Sequence, residues 1–340
     1  MNRPVEIVAN ADITALSTFR LPARAAELVI LRSAEQIAAL PPAEHAELML
    51  GGGSNTIFTG NWPGRIVLNR LTGISFETSG NDVLVTAAAG ENWHRLVRTC
   101  VDRGLHGLEN LAMIPGSVGA APMQNIGAYG VELSDVFERL TAWDRTEQRM
   151  TSLAKSDCAF DYRDSRFKSA EPGRHLITSV TLRLSRQFRP DTHYDSLADA
   201  LKTAGIERPT ARQLTATVMR LRHHRLPDPA RLANAGSFFK NPLVESETAK
   251  AIVHEHPDLP HWPMPDGRTK LGAGRMIEKL GWKGKCVGDA AVYKNHALVL
   301  INRGQATASD LLELVGQITD SVERAFGVRL EVEPRLMGGG

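Results

Sequence analysis

The chain reads as an α+β protein of more than one domain, and three observations predict this. Its 340 residues exceed a usual single domain and point to two or three. Segments of helical period and segments of strand period are interleaved along the whole length. The opening part runs strand, helix, strand and then straight into Gly51-Gly52-Gly53-Ser54-Asn55, an order that favours an α/β or α+β domain.

In order, Glu27–Leu31 predicts a strand, Ala34–Leu40 a short helix stopped by Pro41-Pro42, and Ala46–Leu50 a second strand. Strands are expected at Arg65–Leu68 and Asp82–Ala87. A helix follows over Glu91–Arg103, because Trp93, Leu96, Val97, Cys100 and Val101 recur at helical spacing. Residues 111–130 break the regularity with four glycines and two prolines and almost no charge, so they are expected to lie against something other than water. Strands resume at Val136–Asp144 and Thr178–Leu184, the latter alternating Val180, Leu182 and Leu184 with Ser179, Thr181 and Arg183. Residues 187–195 read as a loop. A helix opened by Pro209-Thr210 carries Leu214, Val218 and Leu221 and is ended by Pro227 and Pro229, the best domain junction. Helices at Glu245–His256 and Ala273–Leu280, a strand at Ala297–Asn302, and a helix at Ser309–Phe326 follow. That last helix has one face formed by Leu311, Val315, Ile318, Val322 and Phe326. A final strand, Arg329–Met337, precedes three glycines expected to fray.

Composition excludes several classes. The apolar fraction is 42% and the charged fraction 23%, ordinary for a soluble globular protein. Lys and Arg number 40 against 38 Asp and Glu, a net +2 that argues against a nucleic-acid surface. The apolar run Ala297–Ile301 is too short to span a bilayer, and the N-terminus lacks a signal-peptide core. Cys100, Cys158 and Cys286 have no paired spacing and fit free thiols in a reducing, cytoplasmic setting. His223, His224, His254, His256 and His261 lack partners at structural-zinc spacing, so no metal is expected.

Four segments could carry chemistry. The glycines of 51–53 permit a tight turn whose N–H groups form an anion nest, although a plain strand–loop turn fits equally. The turn matches neither common nucleotide motif, and Gly272-Ala273-Gly274 also fails because Ile277 stands where the third glycine belongs. Residues 114–130, with Gln124, Asn125 and Tyr129, suit a flat ring system bearing a pyrophosphate; a buried irregular crossover is the other reading. Ser237, between Gly236 and two phenylalanines, is either a partly water-excluded hydroxyl or a turn residue, and no triad partner is placed for it. The run Tyr162–Lys168 is either a solvated face or a clamp for carboxylate or phosphate.

Taken together, Leu-Gly-Gly-Gly-Ser-Asn at 50–55, the 114–130 block, Tyr-Arg-Asp-Ser-Arg-Phe-Lys at 162–168, Gly-Ser-Phe-Phe-Lys-Asn-Pro at 236–242 and Leu-Glu-Val-Glu-Pro-Arg-Leu-Met-Gly at 330–338 resemble the UDP-N-acetylenolpyruvoylglucosamine reductase family. The resemblance runs from about Thr18 to Gly338. It implies a three-region flavoprotein: vanillyl-alcohol-oxidase-type FAD-binding regions at 1–71 (completed by 323–340) and 72–208, and a separate α/β substrate-binding region at 209–322. It implies FAD and NADPH as cofactors, UDP-N-acetylglucosamine-enolpyruvate as substrate, and a cytoplasmic monomer without membrane or nucleic-acid partners. Flavin contacts then fall on Gly51, Gly52, Gly53, Ser54 and Asn55. A second set falls on Ile114, Pro115, Gly116, Ser117 and Gly119, and a third on Asn125, Gly127, Ala128, Tyr129 and Arg222.

The family's catalytic Arg, Ser and Glu fall on Arg163, Ser237 and Glu333, with Glu331 the second candidate because the closing proline has moved to Pro334. Substrate contacts fall on Tyr162, Tyr194, Arg225, Asn241 and His296; Tyr194 is where one subtype closes a tyrosine over the nucleotide sugar, and Arg225 where it faces the diphosphate. Ala120-Ala121-Pro122 replace common glycines and are expected to tighten the flavin pocket. Chemically, Arg163 would stabilise charge developing on the substrate carboxylate, and Ser237 would protonate the adjacent carbon. A Glu333 close to that carboxylate is expected to be partly desolvated, with a raised pKa. The rival readings are an oxygen-using flavin oxidase and a silent nucleotide-binding module. No His or Cys in the phosphate-loop region supports covalent flavin attachment.

Overall fold

The computed structural model describes residues 5–40 and 46–338 and divides the chain into two units. The first comprises residues 1–11, 25–52 and 63–224, and the second 12–24, 53–62 and 225–340. The chain passes for the last time into the second unit at Arg225, just before Pro227. Helix Ala211–Arg225 belongs with the first unit, whose core holds its Leu214 and Val218.

The first unit is built on two sheets. One has the order Glu6–Asp12, Arg24–Leu31, Trp62–Asn69, Glu47–Leu50, and its last pair is parallel, Glu47 opposite Arg65 through Leu50 opposite Leu68. That pairing leaves the C-terminal end of Glu47–Leu50 opening directly onto Gly51. The other sheet is five-stranded and antiparallel: Arg149–Ala154, Phe137–Asp144, His175–Ser185, Asp82–Ala88, Ile74–Ser79. Val83, Val85 and Ala87 alternate inward and share one core with Val180, Leu182 and Leu184. Helix Trp93–Asp102 adds Trp93, Leu96, Val97, Cys100 and Val101 to that core, each apolar side chain stabilising by roughly 1.5–3 kcal/mol. Its N-cap is Asn92, whose side chain accepts from the Arg95 N–H at 2.9 Å.

The second unit has a four-stranded sheet ordered Ala233–Ser237, Val299–Asn302, Ala290–Val292, Cys286–Val287. A three-stranded sheet orders Leu243–Glu245, Arg268–Leu271, His261–Pro263, and a parallel pair joins Arg335–Met337 to Thr56–Phe58. Helix Ala308–Phe326 starts at a capping box of Thr307 and Asp310 and ends at Gly327 in the left-handed region. The expected stripe Leu311, Val315, Ile318, Val322 and Phe326 is buried.

Most of the expected elements are present within a few residues. Four differences have physical causes. Helix Asp195–Thr203 follows a segment read only as loop; its two buried residues, Leu197 and Leu201, are one turn apart and give too short a stripe to stand out. Strands Ile74–Ser79 and Arg149–Ala154 are sheet edges with no fully buried residue; their alternation rests on few apolar positions, Ile74 and Phe76 in one and Leu153 in the other, too few to stand out in the sequence. The final strand is only Arg335–Met337; before it, pairing is limited to the bridge of Val332 with Phe239. The short helix is Glu35–Ala38, and the proline stop at 41–42 lies outside the described residues, as do the last two glycines. All three cysteines are free, and burial pushes the Cys100 and Cys158 thiols up to about 12, far from reactivity.

Candidate active site

In the first unit, two segments distant in sequence meet. A Cβ on Gly52 would stand 2.6 Å from the Gly116 Cα, and one on Gly51 would stand 2.2 Å from Ser117 Oγ, so the 51–52 turn must be side-chain-free to approach 116–117. Ala120 lies beside Gly51, its Cβ 3.4 Å from the same point. The second segment is laid on the N-terminal turn of helix Trp93–Asp102. Trp93 N–H donates to the Gly116 carbonyl at 3.1 Å, Val118 N–H to Glu91 at 2.9 Å and Gly119 N–H to Ala89 at 2.8 Å. Ile114 is half-buried and Pro115 exposed at the loop's rim. Ser117 is 5% exposed, yet its Oγ has no hydrogen-bond partner within the protein.

The 125–130 stretch turns back beside it. Gly127–Ala128 pairs with Val131–Glu132 around Tyr129-Gly130, whose φ values of 51° and 86° are those of a two-residue I′ hairpin. Asn125 is buried and committed internally, donating to Glu132 Oε2 at 2.6 Å and accepting from Ser134 N–H at 2.9 Å, so its side chain serves as scaffold. Arg163 donates through Nη2 to the Gly127 carbonyl at 2.9 Å. It sits with Tyr162 in a tight turn closed by Asp161 and Asp164, and its φ of 55° is a left-handed conformation costing roughly 1 kcal/mol. Tyr129 meets the exposed Tyr194 edge to face at 5.5 Å. Asn110 ties the two stretches, donating to the carbonyls of Tyr129 at 2.8 Å and Asp191 at 3.1 Å. Arg222 acts electrostatically on Tyr129, Arg163 and His94; burial works against its charge, and its Nε is buried without a partner in the protein.

The second unit holds the other expected residues. A bulge between Asn234 and Ser237, with Gly236 at φ 73°, re-aims the end of strand Ala233–Ser237. Asn234 supports the bulge by accepting from Gly236 N–H at 2.9 Å and donating to Leu232 and Pro227. The next carbonyl, Phe238, accepts from Glu333 N–H at 2.9 Å, and Phe239 bridges Val332. The two candidate glutamates flank that bridge and differ in surroundings: Glu333 is half-buried beside Ser237-Phe238, while Glu331 is exposed and held by Lys240 at 2.8 Å. Asn55 reaches the Glu333 carbonyl through Nδ2 at 3.4 Å and accepts from Arg335 N–H at 2.9 Å. Gly53 accepts from Thr18 N–H, and Ser54 follows it half-buried. Asn241 caps helix Ala273–Lys279, its Oδ1 accepting from Ala273 N–H at 3.1 Å. His296 accepts through Nδ1 from Leu298 N–H at 3.3 Å; burial, then Arg225 and Lys283, lower its pKa to about 4, so it is a neutral donor through Nε2.

Two residues of this region were not singled out by sequence. Asn110 offers no periodic signal. His94 does offer one: it stands three and seven residues before Val97 and Val101, at the edge of the helix stripe. Among the described residues, no group of three or more His, Cys, Asp or Glu is placed to hold a metal ion, and no helix is long and apolar enough to cross a membrane.

A flavin nucleotide fits what the first unit offers: a glycine turn, backbone packed at close approach, and two buried polar atoms, Ser117 Oγ and Arg222 Nε, awaiting acceptors or donors. Residues 26–151 match the family described as an FAD binding domain, and residues 228–337 match UDP-N-acetylenolpyruvoylglucosamine reductase, C-terminal domain. Fold, site and family match thus define an FAD-containing oxidoreductase with a flavin-binding domain. The chain is 44% identical to the UDP-N-acetylenolpyruvoylglucosamine reductase of Azoarcus sp., over 97% of this chain and 98% of that one. It is 46% identical to that of Bordetella pertussis, over 95% and 93%. The crystal structure of UDP-N-acetylenolpyruvylglucosamine reductase (MurB) from Thermus caldophilus superposes with a TM-score of 0.68 at 26% identity, covering 98% of this chain and 99% of that one. The chain belongs to the UDP-N-acetylenolpyruvoylglucosamine reductase family.

Proposed function

We propose that the chain carries out the reaction for which its family is named: reduction of the enolpyruvyl group of UDP-N-acetylglucosamine-enolpyruvate to the lactyl ether, giving UDP-N-acetylmuramate, with NADPH as reductant. The observation that carries this reading is Ser237 on its bulge, one residue before the carbonyl that holds Glu333. A bound FAD would supply the redox chemistry, hydride transfer between NADPH and the substrate's methylene carbon.

The chain's own residues bind, orient and move a proton. Arg163, held in its turn before substrate arrives, offers a fixed guanidinium to the carboxylate on which negative charge grows. Ser237 gives its hydroxyl proton to the neighbouring carbon from one face, and Glu333 orients that exchange. Segments 51–55 and 114–129, with Arg222, hold the flavin. Tyr162, Tyr194, Arg225, Asn241 and His296 hold the nucleotide sugar, Arg225 answering the diphosphate and neutral His296 donating through Nε2. The regions 1–71 with 323–340, 72–208 and 209–322 divide these tasks. The protein works as a cytoplasmic monomer without nucleic-acid partners.

The test separates half-reactions. In Ser237→Ala, NADPH should bleach the flavin at nearly the native rate, while reoxidation by the enolpyruvyl substrate slows by ~10²–10⁴. Equal damage to both halves would reassign Ser237 to folding or flavin binding.

A further inference from the structure

His94 is a titratable side chain bonded into the seam between helix Trp93–Asp102 and the 111–119 segment by a bond that its own protonation would break. Other links across that seam include backbone pairs and the indole of Trp93, which donates to the Leu111 carbonyl at 3.0 Å. His94 Nδ1 accepts from the Met113 N–H at 3.0 Å, so the ring proton lies on Nε2. Met113 itself has a φ of 58°, a left-handed conformation that a side-chain-bearing residue adopts only when its surroundings enforce it. It immediately precedes Ile114–Ser117.

We propose that His94 is a positioning residue for FAD: its unprotonated Nδ1 pins Met113 in the left-handed conformation and so sets the 114–117 loop for the flavin nucleotide. Burial first, then Arg98 one turn along the same helix and Arg222 from helix Ala211–Arg225, keep the imidazole neutral below the ordinary histidine range. Protonation would place an N–H against the Met113 N–H, two donors facing each other, and release the loop. The inference rests on the reading of 114–117 as the flavin loop.

The test is release of FAD from diluted holoprotein, read as recovered flavin fluorescence across pH, for the native chain, His94→Asn, His94→Ala and Ser117→Ala, with each variant's fold checked by circular dichroism. Asparagine keeps an acceptor at the Nδ1 position without its titration. The native protein should hold FAD uniformly near neutrality and release it more readily as pH falls through the imidazole titration. His94→Asn should retain FAD with that limb abolished, and His94→Ala should bind about tenfold more weakly with no limb. His94→Asn titrating like the native chain, or His94→Ala holding FAD as tightly at neutral pH, overturns the proposal. If Ser117→Ala weakens FAD while both His94 variants do not, the His94 inference alone fails. If none of the three weakens it, the flavin-loop reading fails as well.

Discussion

Glu333 donates its backbone N–H to the carbonyl of Phe238 at 2.9 Å, which fixes the glutamate beside the residue that follows Ser237. Two positions earlier, Glu331 lies on the outside of the same stretch, its side chain 74% exposed and paired with Lys240. Glu333→Gln is therefore expected to slow substrate-driven flavin reoxidation by about 10²-fold or more, while Glu331→Gln changes it less than about twofold. Stopped-flow absorbance of both variants checks this, and the reverse ranking would move the role to Glu331.

Ser117 carries a buried hydroxyl without a partner, so deleting it removes no hydrogen bond from the folded protein. Ser117→Ala should melt, as apoprotein, at or slightly above the native temperature, yet bind FAD about tenfold more weakly. A drop in apoprotein stability would show that the hydroxyl serves the fold.

His296 is neutral down to about pH 4 because of burial, with Arg225 and Lys283 adding to the effect. Its removal should therefore act on binding without reshaping the pH profile. His296→Ala is expected to raise KM for the enolpyruvyl nucleotide about tenfold, leave NADPH reduction of the flavin unchanged, and leave the pH dependence between 5 and 8 as in the native enzyme. Loss of a titrating limb in that window would contradict the assignment.

Asp144 is engaged by Arg174 through three contacts of 2.7–3.1 Å and by the N–H groups of Thr146 and Glu147. The Arg174 bonds are the main cause that holds its carboxyl well below the ordinary 3.8. A depressed carboxylate stabilises the fold above its unfolded pKa, and that contribution is lost as pH falls through the folded value. Asp144→Asn should lower the melting temperature by several degrees at pH 7, the deficit shrinking as pH falls below about 4, in a differential scanning series.

Much of this was legible in the sequence because the segments concerned are locally constrained. Helix 308–326 announces itself by cap, period and terminal glycine, and the two glycine-rich segments stand out by composition. The bulge at Ser237 was not legible: it depends on pairing with Val299 some sixty residues later and on the buried Asn234, neither of which leaves a local pattern. The same holds for Asn110, whose two acceptors belong to Tyr129 and Asp191. Likewise, Asn125 and Asn241 look like free amides in the sequence, but in the structure their oxygens are already taken.

Among the described residues, strand Thr56–Phe58 pairs with Arg335–Met337 alone, and nearby Thr59 hydrogen-bonds a carbonyl 279 positions downstream. During synthesis the second unit must therefore keep its early pieces, 12–24 and 53–62, waiting until nearly the whole polypeptide has left the ribosome. The first unit, which ends at residue 224, has all its strands in hand much sooner, so its core can pack while the second is still incomplete. Removing residues 335–337 would leave Thr56–Phe58 with an unpaired edge inside that second unit.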